Sequence, residues 1–433
     1  MTLVIGIDIG TSGVRAVAVD PQGMQVGEAK VAMPAPDREG PRISQSPAIW
    51  IEAAEQALDV LLQTVSAAEV GALAIDGTSG TVLAIDEAGH AVGPGLLYND
   101  AAEADAAAAI GRIAPSTSAA HGNTSGLAKA MALIKRPGAT RILHQADYLA
   151  LHLTGTIATD ENNALKTGYD PIARAWPHWM ETLGFDRACL PKALEPGTPM
   201  GTVTAAMAKR FGLRLAMIVA AGTTDGCASF LATGADQPGD AVTALGTTLT
   251  LKLLSAQPIF SPAHGVYSHR LGNRWLAGGA SNSGGAALLQ FFDAATLESL
   301  TKRLAPKTPT GLDYYPLPKP GERFPIADPA LAPRVSPRPD DDATFLQGLL
   351  EGIASIEATG YRLLSDLGGP PLRRVLSVGG GARNEAWTRI RADRLSVPVL
   401  SAETDEAAYG AARLARHALG VHQTGRPKTE EAP

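Results

Sequence analysis

Cysteine is almost absent. Cys189 and Cys227 are the only two in 433 residues, and thiols so far apart make neither a disulfide framework nor a zinc-binding spacing. No run approaches the roughly 18 apolar residues that a membrane helix needs. The N-terminal apolar run has no basic region before it and is interrupted by Asp8, which reads as a strand and not as a signal peptide. The net charge of -6 is spread along the chain, leaving no basic stripe for nucleic acid. Neither a Walker-type Gly-Lys-Ser/Thr nor a strand followed by Gly-x-Gly-x-x-Gly occurs, so P-loop and dinucleotide enzymes are disfavoured. The expectation is a soluble, cytoplasmic protein with no membrane or nucleic-acid partner.

Apolar residues make up 45% of the chain and glycines number 46, a composition suited to an α/β enzyme. At this length one compact core is too small, so two domains are expected. The first polar signal is Asp8-Ile9-Gly10-Thr11-Ser12-Gly13, set between apolar runs at 4–9 and 14–19. Such a turn either cradles an anion with its N–H groups and hydroxyls or merely satisfies a hairpin. The pattern echoes at Asp76-Gly77-Thr78-Ser79-Gly80-Thr81, again between two apolar runs, as if a second site faced the first. It returns at Gly246-Thr247-Thr248, also between two runs of strand character.

Other polar residues punctuate the chain. Asp100 precedes an Ala-rich helical stretch and reads equally as an N-cap or a ligand. The run from Thr159 to Ala164 has no apolar period and reads as a loop. A buried-type strand at 217–221 delivers Gly222-Thr223-Thr224-Asp225-Gly226, and the end of a strand is where open α/β folds place chemistry. Dense proline between residues 306 and 339 predicts an irregular surface excursion. Asp342 is placed as the cap of a long helix over 343–364. The strand at 374–378 opens into Gly379-Gly380-Gly381-Ala382-Arg383-Asn384, where a flat or anionic ligand can lie against the backbone. Trp387 lies three residues past Asn384 on one helix face, as a base-stacking ring or a core residue.

In order along the chain, these pieces resemble the FGGY family of carbohydrate kinases, within the actin-like ATPase superfamily. The resemblance rests on Gly6 to Ser12, Asp147-Tyr148 with Leu153-Thr154-Gly155, Thr159-Asp160 through Ala164, Gly222 to Gly226, Gly246 to Thr248, Gly321-Glu322-Arg323, Glu351-Gly352-Ile353 and Gly379 to Asn384. It implies an α/β fold of two ribonuclease-H-like domains with a cleft between them. The expected limits are 1–232 for a sugar-binding domain, 233–405 for an ATP-binding domain, a helix near 406–422 packing back on the first, and a disordered tail over 423–433.

The resemblance also implies ATP and Mg²⁺ as cofactors, with Asp225 as the general base that deprotonates the sugar hydroxyl. Asp8 would act on the Mg²⁺–phosphate side, with Asp8 and Asp225 as metal candidates. Thr11, Ser12, Gly246 and Thr247 would line the phosphates, and Gly380, Gly381, Asn384 and Trp387 the adenosine. Asp76, Ser79, Asp100 and Asp225 would face the sugar. Thr78-Ser79-Gly80 stands where glycerol kinases carry Arg-Glu and xylulokinases Gln-Met or Gln-His, and Ala101 replaces the Arg usual after Tyr98-Asn99-Asp100. With the short length, these features resemble the family's small D-ribulose kinases. The implied reaction is phosphorylation of a ketopentose, D-ribulose first and D-xylulose or a polyol as alternatives, by a monomer or homodimer. A sugar-independent actin-like ATPase is the rival of another class.

Overall fold

The computed structural model describes residues 2–424. The chain divides into two compact units, Met1–Ala232 together with the segment from Glu406 onward, and Thr233–Asp405.

The first unit is built on a six-stranded sheet in the order Pro199–Thr202, Ile218–Thr224, Val70–Gly77, Leu3–Ile9, Gly13–Val19, Gln25–Ala32. Leu3–Ile9 lies antiparallel to Gly13–Val19 and parallel to Val70–Gly77, which is parallel in turn to Ile218–Thr224. Helices cover both faces, and that is why every residue of Val70–Gly77 is buried in a nearly unbroken apolar run. Ile5, Ile7 and Ile9 pack on one side with Trp50, Ala54 and Leu58 of the helix Pro47–Leu61. Val4, Ala72 and Ala74 pack on the other with Ala408, Ala411, Ala412 and Ala415 of the helix Ala407–Thr424. That last helix therefore belongs to the first unit. It approaches so closely that a Cβ at Gly6 would overlap the Ala408 carbonyl oxygen, and one at Gly410 the Ala228 carbonyl. Glycine is required at both crossings, and small alanines fill the rest of the seam. Of the expected tail, Gln423 and Thr424 end this helix and residues 425–433 lie outside the described residues.

The second unit repeats the plan. Its six strands run Tyr267–Leu271, Arg274–Ser281, Leu249–Ser255, Asp240–Leu245, Arg374–Val378, Val399–Ser401. Asp240–Leu245 again pairs antiparallel with the strand that follows it and parallel with a later one. The helix Asp342–Asp366 packs Leu346, Leu350 and Ile353 into this core. Its cap is Asp341, one residue before the expected Asp342, and accepts from the Thr344 N–H at 2.9 Å. Across it Arg391 and Glu357 form a fully buried bidentate ion pair at 2.7 Å, tied further to Ser377, Thr243 and through it to Tyr361.

Three segments go beyond the sequence pattern. The strand after the echo at Asp76 does not pair back on Val70–Gly77: Val82–Ile85 leaves the sheet and joins a second, five-stranded one between Gly95–Leu96 and Arg141–His144. Gly80, at φ +87°, and the Thr78–Gln145 hydrogen bonds redirect the chain there. The polar run 159–164 is no surface loop. It forms the short strand Ala158–Asp160 and the helix Glu161–Leu165, with Thr159 to Asn163 all buried. Asp160 accepts from the Asn162 and Asn163 N–H groups at 2.9 Å and from Asn163 Nδ2 at 2.6 Å, so hydrogen bonds replace an apolar face as the reason for burial. The proline-rich excursion is irregular but is anchored in the core by Tyr314, Leu317 and Phe324.

Candidate active site

In the first unit the parallel strands Leu3–Ile9, Val70–Gly77 and Ile218–Thr224 bring their C-terminal ends together, the position at which open α/β sheets hold ligands. Sheet register sets the chemistry. Asp8 stands opposite Asp76, and Asp76 opposite Thr223 on its other side. Arg15 completes the row beyond Asp8. Asp225 follows the third strand as the first residue of the helix Asp225–Ala232, where the helix dipole favours its carboxylate. Its Oδ1 accepts from the Gly226 N–H at 2.6 Å.

Burial acts strongly on this acid pair. Desolvation raises the Asp8 carboxyl; the neighbouring Asp76 carboxyl and the charge of Arg15 oppose it, while Asp225 adds to it. Asp76 has no solvent exposure and is held well above the usual carboxylate range by burial, then by Asp8, Asp225 and Asp160. Neither oxygen of Asp76 receives a hydrogen bond from a protein donor, and the Ser79 hydroxyl beyond it is likewise buried without a partner. Buried acceptors without donors are costly in a folded protein and mark places where another group is to bind. Thr11 and Ser12 lie in the turn that leaves the first strand, closed by the Gly10 N–H to Gly13 carbonyl bond at 3.0 Å.

Asp100 is a correction. It is wholly buried: one oxygen accepts from the Ile43 N–H at 2.7 Å and the other from the Ala102 N–H at 3.3 Å, with Arg42 beside it. Both oxygens are committed to protein donors, and the helix after it begins at Ala104 with Glu103 as its cap residue. Asp100 therefore clamps the chain at Ile43 and Ala102 and does not cap that helix. Sequence reasoning also passed over Asn162, whose side-chain oxygen is buried without a partner while its Nδ2 donates to Thr223 Oγ1 at 2.9 Å. The Asn-Asn step inside an apolar-free run was the available signal.

In the second unit Gly246, Thr247, Gly380, Gly381, Asn384 and Trp387 line one cavity of about 530 Å³. Leu288, Leu297, Leu346 and Leu350 give it apolar walls. Gly379, at φ +82°, turns the strand Arg374–Val378 into the short helix Gly380–Arg383, and Asn384 caps Glu385–Leu395 by accepting from the Trp387 N–H at 2.9 Å. Gly381 must lack a side chain, since a Cβ there would meet the Trp387 ring and Leu245. Trp387 is both core and floor: its ring is buried, its Nε1 donates to the Leu350 carbonyl at 3.1 Å, and its edge borders the cavity. A cavity of this size with apolar walls and a glycine rim suits a flat heterocycle, and the Gly246-Thr247 turn at its mouth offers N–H and hydroxyl groups to phosphates.

Two sheets sharing one five-strand core order, one presenting strand-end acids and the other a glycine-rimmed cavity, define a two-domain α/β phosphotransferase of the actin-like ATPase architecture. The chain belongs to the FGGY family of carbohydrate kinases: the family's N-terminal domain matches residues 3–232 and its C-terminal domain residues 241–419. It is 28% identical to a xylulose kinase of Escherichia coli over 97% of this chain and 91% of that protein. It is 25% identical to a xylulose kinase of Bacillus subtilis, over 97% and 89% respectively. A solved structure of a xyloylose kinase from Brucella ovis superposes with a TM-score of 0.86 at 26% identity, covering 97% of this chain and 91% of that one. Among the described residues no helix is long and apolar enough to cross a membrane.

Proposed function

We propose that this carbohydrate kinase transfers the γ-phosphoryl group of ATP to a ketopentose, with D-ribulose as the substrate and D-ribulose 5-phosphate as the product. The observation that carries the reading is the set of buried acceptors, Asp76 and Ser79, beside Asp8 and Asp225. A sugar brings hydroxyl donors to that place, and Thr78-Ser79-Gly80 there differs from the pairs that glycerol and xylulose kinases carry.

In phosphoryl transfer the protein contributes mainly positioning and charge neutralisation. Asp225, held by the Gly226 N–H, takes the proton of the attacking hydroxyl. Ser79 and Asp76 orient the sugar. Thr11, Ser12, Gly246 and Thr247 bind phosphate oxygens, while Gly380, Gly381 and Asn384 border the adenosine and Trp387 floors the base cavity. Mg²⁺ would be held by Asp8, through water, with Asp225 nearby. These are the hard oxygen donors that this ion takes, and it meets proteins through one or two carboxylates and the phosphates while keeping several waters. When bound it supplies neutralisation of phosphate charge.

The test is ADP release across D-ribulose, D-xylulose, glycerol, ribitol and xylitol. D-Ribulose is expected to give the highest kcat/KM, and no turnover with it overturns the choice of substrate. The similarity to xylulose kinases makes D-xylulose the second reading. Hydrolysis of ATP that no sugar changes would instead support a sugar-independent ATPase.

A further inference from the structure

We infer that Asn162 is a sugar-contacting residue of this site, one that accepts a hydroxyl hydrogen at Oδ1 and so helps to set which sugars fit. The inference rests on the sugar-kinase reading and deepens it.

Asn162 is 1% exposed, and its Oδ1 has no hydrogen-bond partner. An amide oxygen in that state has lost water and gained nothing, a condition few buried polar atoms of folded proteins tolerate. Its other end is fixed, because Nδ2 donates to Thr223 Oγ1 at 2.9 Å. Thr223 is wholly buried and is the register partner of Asp76. The next residue, Asn163, donates from its Nδ2 to the Thr223 carbonyl at 3.1 Å, which locks the short helix Glu161–Leu165 against the same strand.

Asn162 is thereby attached, one strand over, beside Asp76, whose two oxygens also lack a protein donor. The loop carrying Ser79 approaches this helix as well: a Cβ at Gly80 would sit 3.8 Å from the Cβ of Lys166. Three side chains on three segments thus present oxygens without partners around the end of one strand. Asn162 Oδ1 can only accept, whereas the Asp76 carboxyl and the Ser79 hydroxyl can each exchange bonds with a hydroxyl, so the set calls for a ligand that brings donors. A polyhydroxylated sugar is such a ligand, whereas a carboxylate or phosphate brings no donor for the Asn162 oxygen.

A site built to bond a hydroxyl rejects the analogue that lacks it, since its own buried group is then left unpaired. This gives a test that a merely structural Asn162 does not pass. The panel member phosphorylated fastest is compared with its monodeoxy analogues, for a ketopentose the 1-deoxy, 3-deoxy and 4-deoxy compounds. Measurements are made in the unmodified enzyme, in Asn162→Ala, and in Thr223→Val, which keeps the acceptor but frees it from its anchor.

The unmodified enzyme is expected to prefer the full sugar over one deoxy analogue by about 10- to 100-fold in kcat/KM. Asn162→Ala is expected to raise KM for the full sugar by a similar factor, to leave KM for that analogue nearly unchanged, and to leave ATP affinity unchanged. Thr223→Val should do the same in smaller measure. Equal losses on the full sugar and every analogue overturn the inference, as does a lowered melting temperature with unaltered sugar KM. If Asn162→Ala fails to fold, the comparison is made with Asn162→Asp and Thr223→Val. Because the fastest sugar is used whatever it is, failure of the D-ribulose reading does not decide this result, and a parent enzyme that binds no sugar overturns both.

Discussion

Asp8 and Asp76 face each other across neighbouring parallel strands, and burial raises both carboxyls. Two acids side by side, one without a donor to either oxygen, are a poor choice for stability alone. Their placement at the converging strand ends makes sense if a sugar supplies the missing donors. Asp76→Asn, whose amide can donate to Asp8, is therefore expected to raise stability by about 1–2 kcal/mol. The same change should raise the sugar KM at least several-fold. Urea denaturation and steady-state kinetics check the two halves, and a destabilised variant with unchanged KM would contradict both.

The last helix is held by close backbone contact at glycines, so a single methyl should dislodge it. Gly6→Ala and Gly410→Ala are each expected to cost about 3 kcal/mol or more. Limited proteolysis should then cut near residues 406–410 in the variants and spare the parent. Equal cleavage patterns would show that the seam relaxes.

Lys129 offers a pH signature. It is 1% exposed, donates to the Leu97 carbonyl at 2.8 Å, and is lowered to about 7, by burial first, with Asp100 opposing and Lys166 adding. Below about pH 7 both folded and unfolded chains carry its proton. Between about 7 and 10.5 the unfolded chain binds the proton and the folded chain does not, so stability contributed by this group rises with pH. Relative to Lys129→Met, the parent should gain on the order of a few kcal/mol between pH 6.5 and 9.5, read from denaturation midpoints. Parallel curves would refute this.

The cavity of the second unit can be closed from its rim. Gly381→Val drives a side chain into the Trp387 ring and Leu245, and is expected to weaken ATP binding about tenfold or more with little change in sugar KM. Calorimetric titration with ADP measures the first effect directly. Unaltered ADP affinity would place the nucleotide elsewhere.

Much of this was legible in the chain. Strand-end acids and glycine turns carry a local signal: Asp8 and Asp225 stand where apolar strands end, and Gly381 leaves no room for a side chain. What escaped depended on pairing between distant segments. The fate of Val82–Ile85 was set by its partners Arg141–His144, about sixty residues away in sequence, and not by its own pattern. The burial of 159–163 came from reciprocal polar bonds that hydropathy does not register. Asp100 has the residue type of a ligand but spends both oxygens on Ile43, Arg42 and Ala102. Only three-dimensional neighbours separate such an acid from Asp76.

The most direct measurement follows the phosphate itself. Phosphorus NMR of D-ribulose incubated with ATP and enzyme should show a sugar 5-phosphate forming in step with ADP. Asp225→Asn should slow that formation by about 10²- to 10⁴-fold while still binding ATP. Inorganic phosphate as the only product, or near-normal turnover in Asp225→Asn, would contradict the proposed chemistry.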